Sequence, residues 1–250
     1  MLARHCTEAG LIVKAVSLWG KAGQRSLERS ALLEAAEQLT RALGLIAALP
    51  SSPTLRREEI KLQVALITPL LHVKGFAAHE TMAAVEQARL LIEQAEALGE
   101  PPEDPLLLFS VLYGLWASSL IAFNGDMVLG LAAEFLALAE KQKGTIPLVM
   151  GHRIMGLSLL LTGHIAEGRK HYDQAIALYD RSEHYRSQTT RFSGQDIRVP
   201  TLSFRSLLLW VLGHPEAALA DVVHALKDAR EIGHAATLLW ELPGSKRADR

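Results

Sequence analysis

The stretch from Gly156 to Asp180, GLSLLLTGHIAEGRKHYDQAIALYD, constrains the fold more than any other part of the chain. Small residues recur at Gly156, Gly163, Gly168 and Ala175, a ring stands at Tyr172, and Asp180 ends the apolar period. Two helices packed as a tight antiparallel pair need this arrangement. A small residue sits where the backbones touch, Gly163 turns the corner, and a large ring is flanked by small residues on the returning helix. The pattern predicts a scaffold that binds something, and it holds no reaction chemistry.

Recurrence separates a repeat from a coincidence. Turn glycines are read at Gly125, Gly163 and Gly213, and a further one at Gly10. Ala218, Val222 and Ala225 follow Gly213 at the offsets that Gly168, Tyr172 and Ala175 hold from Gly163, and Ala15, Trp19 and Ala22 follow Gly10 in the same way. After Gly125 those offsets give Gly130, Glu134 and Ala137, where the middle position breaks the rule. Ala35, Leu39 and Ala42 fit another returning helix, with Ser30 in the place of the glycine. The pattern resembles the tetratricopeptide helix-turn-helix unit. The intervals Gly125 to Gly163 and Gly163 to Gly213 exceed that unit's period of about 34 residues, so the repeats are irregular, with long loops between them.

Helical periodicity is read over residues 2–9, 11–29, 31–48, 55–73, 81–98, 104–123, 126–142, 146–162, 166–180, 201–212, 215–232 and 234–242, with a polar loop over 181–200. No alternating strand pattern appears. The expected architecture is all-α: a tetratricopeptide-like helical-repeat solenoid of about ten or eleven antiparallel helices, with residues 1–240 as one domain. The chain begins inside a helix and ends in ELPGSKRADR, where charge replaces the apolar period. A fragment uncapped at both ends is expected, with 241–250 as a disordered or aberrant tail and self-association through the open ends.

Composition narrows the function classes. Ala and Leu dominate over β-branched residues, which favours helix. Net charge is -1, from 26 basic and 27 acidic residues, so no basic excess is present to hold a phosphate backbone and nucleic acid is not an expected partner. The single cysteine, Cys6, excludes an internal disulfide framework, and no signal sequence is evident, so a cytoplasmic location is expected. The uncharged run PLLLFSVLYGLWASSLIAFNG, residues 105–125, is long enough to cross a bilayer. Its serines, Tyr113 and Asn124, and the absence of flanking basic clusters, favour a buried repeat helix, so no membrane is expected.

The wording of several segments is more specific than their periodicity. ARHCTEAGLIVKAVSLWGKAGQRSLERSALLEAAEQLTRAL, HVKGFAAHET, GHRIMGLSLLLTGHIAEGRKHYDQAIALYD, and RFSGQDIRV with PEAALADVVHALKDAREIGHAATL resemble the C-terminal tetratricopeptide region of bacterial, rhizobial-type adenylate/guanylate cyclase-like proteins. In that family a nucleotide cyclase domain and an AAA-type ATPase domain precede the helical array. The resemblance runs to about Leu239 and implies a sensory or regulatory arm of a signalling enzyme. The expected partners are a protein or peptide, or the parent's cyclase and ATPase domains. Catalytic residues cannot be carried over. No segment resembles a cyclase's metal-binding aspartates, and no G-x-x-x-x-G-K-[ST] phosphate loop is present.

Other constellations are weaker. His164 and His171 could share a helical face, but His164 falls in the turn, and no H-E-x-x-H exists; structural or surface histidines are the expectation, with no metal. Gly156-Leu157-Ser158 lacks the second glycine and the strand of a nucleophile elbow. Cys6 has only its chain neighbour His5, not an oriented base. No catalytic or cofactor-binding residue is expected. The loop 181–200 places Arg181, Arg186, Arg191 and Arg198 among Tyr185 and Phe192, and arginine forks beside rings can hold a carboxylate or phosphate. A solvated loop with local ion pairs is the competing reading.

Overall fold

The computed structural model describes residues 2–100, 102, 104, 106–142, 144–179 and 196–232. Eleven helices and no strand occur among the described residues. They are α1 (Leu2–Glu8), α2 (Ile12–Glu28), α3 (Leu32–Ile46), α4 (Pro53–Val73), α5 (His79–Ala97), α6 (Leu106–Ile121), α7 (Gly125–Glu140), α8 (Thr145–Leu161), α9 (Ile165–Leu178), α10 (Arg198–Val211) and α11 (Pro215–Ile232). The expected segment 234–242 lies outside the described residues. Two compact units divide the chain, Met1–Ile121 and Ala122–Arg250.

The helix pairs are made by one recurring turn. In the turn after α8, Gly163 has φ +88°, the His164 amide donates to the Leu159 carbonyl at 2.8 Å, and the Gly163 amide donates to Leu160 at 3.2 Å. The turns at Gly10, Ser30 and Gly213 repeat this left-handed residue and both hydrogen bonds. Each satisfies carbonyls that the ending helix would otherwise leave unpaired. Glycine suits this conformation because it has no Cβ to clash, whereas Ser30 adopts φ 57° at a steric cost.

The turn before α7 corrects the expectation at Gly125. The left-handed residue there is Phe123, φ 54°, while Gly125 is the first residue of α7 and Asn124 caps it, its side chain accepting from the Met127 amide at 3.3 Å. The register moves by two residues. Val128, Ala132 and Phe135 are buried, and Gly130, Glu134 and Ala137 face outward. The break at Glu134 disappears when the offsets run from Phe123, the residue that makes the turn.

In the first unit each helix packs on the next, and α4 also packs on α6. Val16, Leu39, Ala42, Ile46, Leu62 and Leu66 form its core beside the half-buried Trp19. Gly23 fits against the Leu39 side chain, where an added Cβ would lie 2.7 Å from it. α6, the apolar run, is buried along most of its length; Gly114 lies against Val85 and Ile67, and the Ser118 hydroxyl donates to the Phe76 carbonyl at 3.0 Å. Among the described residues no helix is long and apolar enough to cross a membrane.

In the second unit α8 packs on α7 and α9, and α10 on α9 and α11. Gly156 receives the Tyr172 ring: a Cβ on it would stand 2.8 Å from two ring carbons and 3.1 Å from the Gly168 carbonyl oxygen. The two helices are thereby held at backbone distance, as the sequence predicts.

Candidate interaction surfaces

The loop expectation divides. Arg181, Tyr185, Arg186, Arg191 and Phe192 lie outside the described residues. Arg198 does not belong to a loop. It opens α10, because the Asp196 carboxylate accepts from the Arg198 and Val199 amides at 2.8 and 3.2 Å. Pro200, read from sequence as the end of a loop, sits within the first turn of α10, where its missing N–H removes no helical hydrogen bond. The Arg198 guanidinium donates to Asp228 at 2.6 Å and lies 5.8 Å from the centre of the Tyr179 ring. The Tyr179 hydroxyl donates to Asp196 at 3.1 Å. Burial and the neighbouring Asp196 both raise the Tyr179 pKa. The arginine beside an aromatic ring is present, turned inward to join α10 to α11.

A stronger clamp lies deeper in the same pair. Arg205 of α10 donates from Nε and Nη2 to the two Asp221 oxygens of α11, both at 2.7 Å, and from Nη1 to Asp173 of α9 at 2.9 Å. Asp221 is only 4% exposed, so this two-pronged pair is its substitute for water. The hydrogen bonds to Asp221 raise the Arg205 pKa, which keeps the guanidinium charged.

Between α8 and α9 the structure brings together two histidines that sequence reasoning did not pair. His152 Nδ1 and His171 Nδ1 are 2.9 Å apart, with ring centres 5.2 Å apart and planes at 41°. Both rings are half-buried. Desolvation lowers both pKa values; for His152 the proximity of His171 adds to this, and Glu140 opposes it. His164, the partner considered from sequence, instead lies 3.2 Å from the Thr162 hydroxyl. Among the described residues no group of three or more His, Cys, Asp or Glu could hold a metal ion. Nearby, the Tyr172 hydroxyl is buried with no hydrogen-bond partner among the described residues, and burial raises its pKa far above the ordinary value. Its ring fills the space that Gly156 leaves open.

In the first unit a cleft of about 410 Å³ is lined by Arg4, Thr7, Glu8, Trp19, Arg41 and Leu45, among others. Its size falls in the range of ligand pockets. The Arg41 guanidinium lies 5.0 Å from the centre of the Trp19 ring, and the Trp19 indole N–H donates to Thr7 at 3.3 Å. Elsewhere, α10 and α11 leave Leu207, Trp210, Val211, Leu219 and Val223 exposed, Trp210 by 68%. Val222, at the place Tyr172 occupies in α9, is 38% exposed, whereas Tyr172 is fully buried.

Comparison with known proteins fits this geometry. No protein-family profile matches the chain. Crystallised TPR-like repeats, assigned to a kinesin light chain of Podosopora anserina, superpose with a TM-score of 0.55 at 14% identity, covering 87% of this chain and 94% of theirs. A variant of those repeats gives the same TM-score at 13% identity. The fold is tetratricopeptide-like. At such identity the likeness is one of fold alone. An uncharacterized protein of Rhizobium meliloti is 29% identical over 237 residues, covering 94% of this chain but 22% of that protein. The chain thus spans less than a quarter of its relative's length.

Proposed function

We propose that this chain is a non-catalytic interaction and effector-sensing module, the regulatory arm of an adenylate/guanylate cyclase-like signalling protein. The observation that carries the reading is the repeat architecture itself: helix pairs that leave apolar and cationic side chains in the open. Trp210, Leu219 and Val223 offer apolar contact to a protein partner or to another domain of the parent, and Arg41 on Trp19 offers a cationic edge to a peptide carboxylate. The likeness to part of a much longer rhizobial protein supports a module working within a larger chain. Effector binding would change the stacking between repeats and so alter the attached enzyme.

Arg181, Arg186, Arg191, Tyr185 and Phe192 remain a proposed ligand-gripping set. An Arg186→Ala/Arg191→Ala variant is expected to lose effector response, and an intact response removes that set from the proposal. The reading as a whole is tested by sequencing the locus on either side of this reading frame. Cyclase and ATPase segments upstream, in a broken or continuous frame, are expected; where the frame is continuous, deleting the arm from that longer protein should change nucleotide cyclisation. Unrelated intact genes on both sides would defeat the reading and favour a free-standing adaptor, while a DNA-binding helix-turn-helix in the same frame would indicate a transcription regulator.

A further inference from the structure

We propose that His152 and His171 form a clamp for a first-row divalent transition metal, tying α8 to α9. The two rings come from facing helices whose separation is fixed by the Gly156–Tyr172 contact. Their Nδ1 atoms already converge, at 2.9 Å. Two metal–nitrogen bonds of about 2.0–2.1 Å at a tetrahedral angle hold their nitrogens about 3.3 Å apart. A few tenths of an ångström of opening therefore admits an ion, and rotation of two half-exposed rings supplies it.

The protonation state suits ligation. Imidazole binds a metal through a neutral nitrogen, and burial disfavours the charged form of both rings. Two neutral rings with facing Nδ1 atoms share one proton: one ring carries it on Nδ1 and donates to the other. Metal binding replaces that proton at Nδ1, and the donor ring shifts it to Nε2, so no net proton leaves at neutral pH. Glu140, the last residue of α7, acts on His152 electrostatically and supplies negative charge for a dication. With two protein ligands the remaining positions fall to water, so the ion exchanges readily. Imidazole donors favour Zn²⁺, Ni²⁺ and Cu²⁺ over Mg²⁺ or Ca²⁺. The clamp is thus a metal-responsive staple within one repeat, independent of the identity of any parent protein.

Electron paramagnetic resonance of the full 250-residue chain with one equivalent of Cu²⁺ tests the site directly. Coupling to two equatorial nitrogens is expected in the wild-type chain and to one or none in His152→Gln and His171→Gln. Calorimetric titration with Zn²⁺ should show affinity reduced by about tenfold or more in each of these variants and unchanged in His164→Gln, because only the former lose a chelating nitrogen. A single-nitrogen spectrum for the wild-type chain overturns the proposal without relying on any variant. So does Zn²⁺ affinity that is equal in the wild type and both folded single variants.

Discussion

His171 and Asp221 occupy the same place in consecutive helix pairs, eight residues after the turn glycines Gly163 and Gly213. Each reaches back to the outgoing helix, His171 to His152 and Asp221 to Arg205. The backbone of the repeat decides that this position faces its partner helix, and the residue types decide what the contact does. Arg205–Asp221 is a two-pronged ion pair with one member almost fully enclosed. His152–His171 is a neutral pair in which burial holds protonation of both rings below the ordinary imidazole range. One hairpin has a fixed fastener and the next a conditional one.

The largest effect should come from breaking the fixed fastener. Arg205→Ala leaves Asp221 enclosed without its cation and is expected to destabilise the chain by about 3–5 kcal/mol in denaturant unfolding. Replacing both partners, as Arg205→Met with Asp221→Leu, should recover most of that loss, because the cost lies in the stranded charge. If the double variant is as unstable as the single one, the loss comes from the missing hydrogen bonds and not from the stranded charge.

Gly156→Ala comes next. The new methyl would meet the Tyr172 ring and the Gly168 carbonyl, neither of which can move without shifting a helix, so a loss of about 1–3 kcal/mol is expected. Tyr172→Phe removes only the hydroxyl without a partner, and should be neutral or slightly stabilising in the same assay. A clear loss with Phe would mean that the hydroxyl is hydrogen-bonded after all.

The conditional fastener should show itself as pH dependence in metal-free buffer with chelator. Both histidines have folded pKa values below the unfolded value of about 6.5, so the unfolded chain binds protons first. The stability held above the unfolded pKa is expected to fall as pH drops from about 7 through the folded pKa values. His171→Asp would set a carboxylate beside His152, as Asp221 stands beside Arg205. The His152 imidazolium would then be favoured, and the pH dependence from this pair should weaken or reverse. Identical pH profiles for the wild type and His171→Asp would show that the pair does not couple to folding.

The smallest change concerns the turns. Phe123→Gly relieves a left-handed conformation at a side chain that is 90% exposed, and should raise stability by up to about 1 kcal/mol. Gly163→Ala should lower it by a similar amount, and thermal melts of the two variants side by side would measure the contrast.

Sequence alone determined the helices and the manner of their pairing. Apolar period, Gly163 and Gly213, and the small-ring-small spacing of Gly168, Tyr172 and Ala175 are local signals, because a helix and its turn are made by residues a few positions apart. The pairing of Gly156 with the returning helix followed from them. At the turn before α7 the local signal misleads, because Asn124-Gly125 carries a turn composition while Phe123 takes the left-handed conformation. The start of α10 is not legible locally because Pro200 reads as a breaker, while the hydrogen bonds that open the helix depend on the Asp196 side chain. Tertiary structure alone decided which polar groups meet. His152 and His171 are 19 residues apart, and Arg198 and Asp228 are 30. Pairings at such separations depend on where each turn falls and how the helices rotate against each other, which local periodicity does not encode.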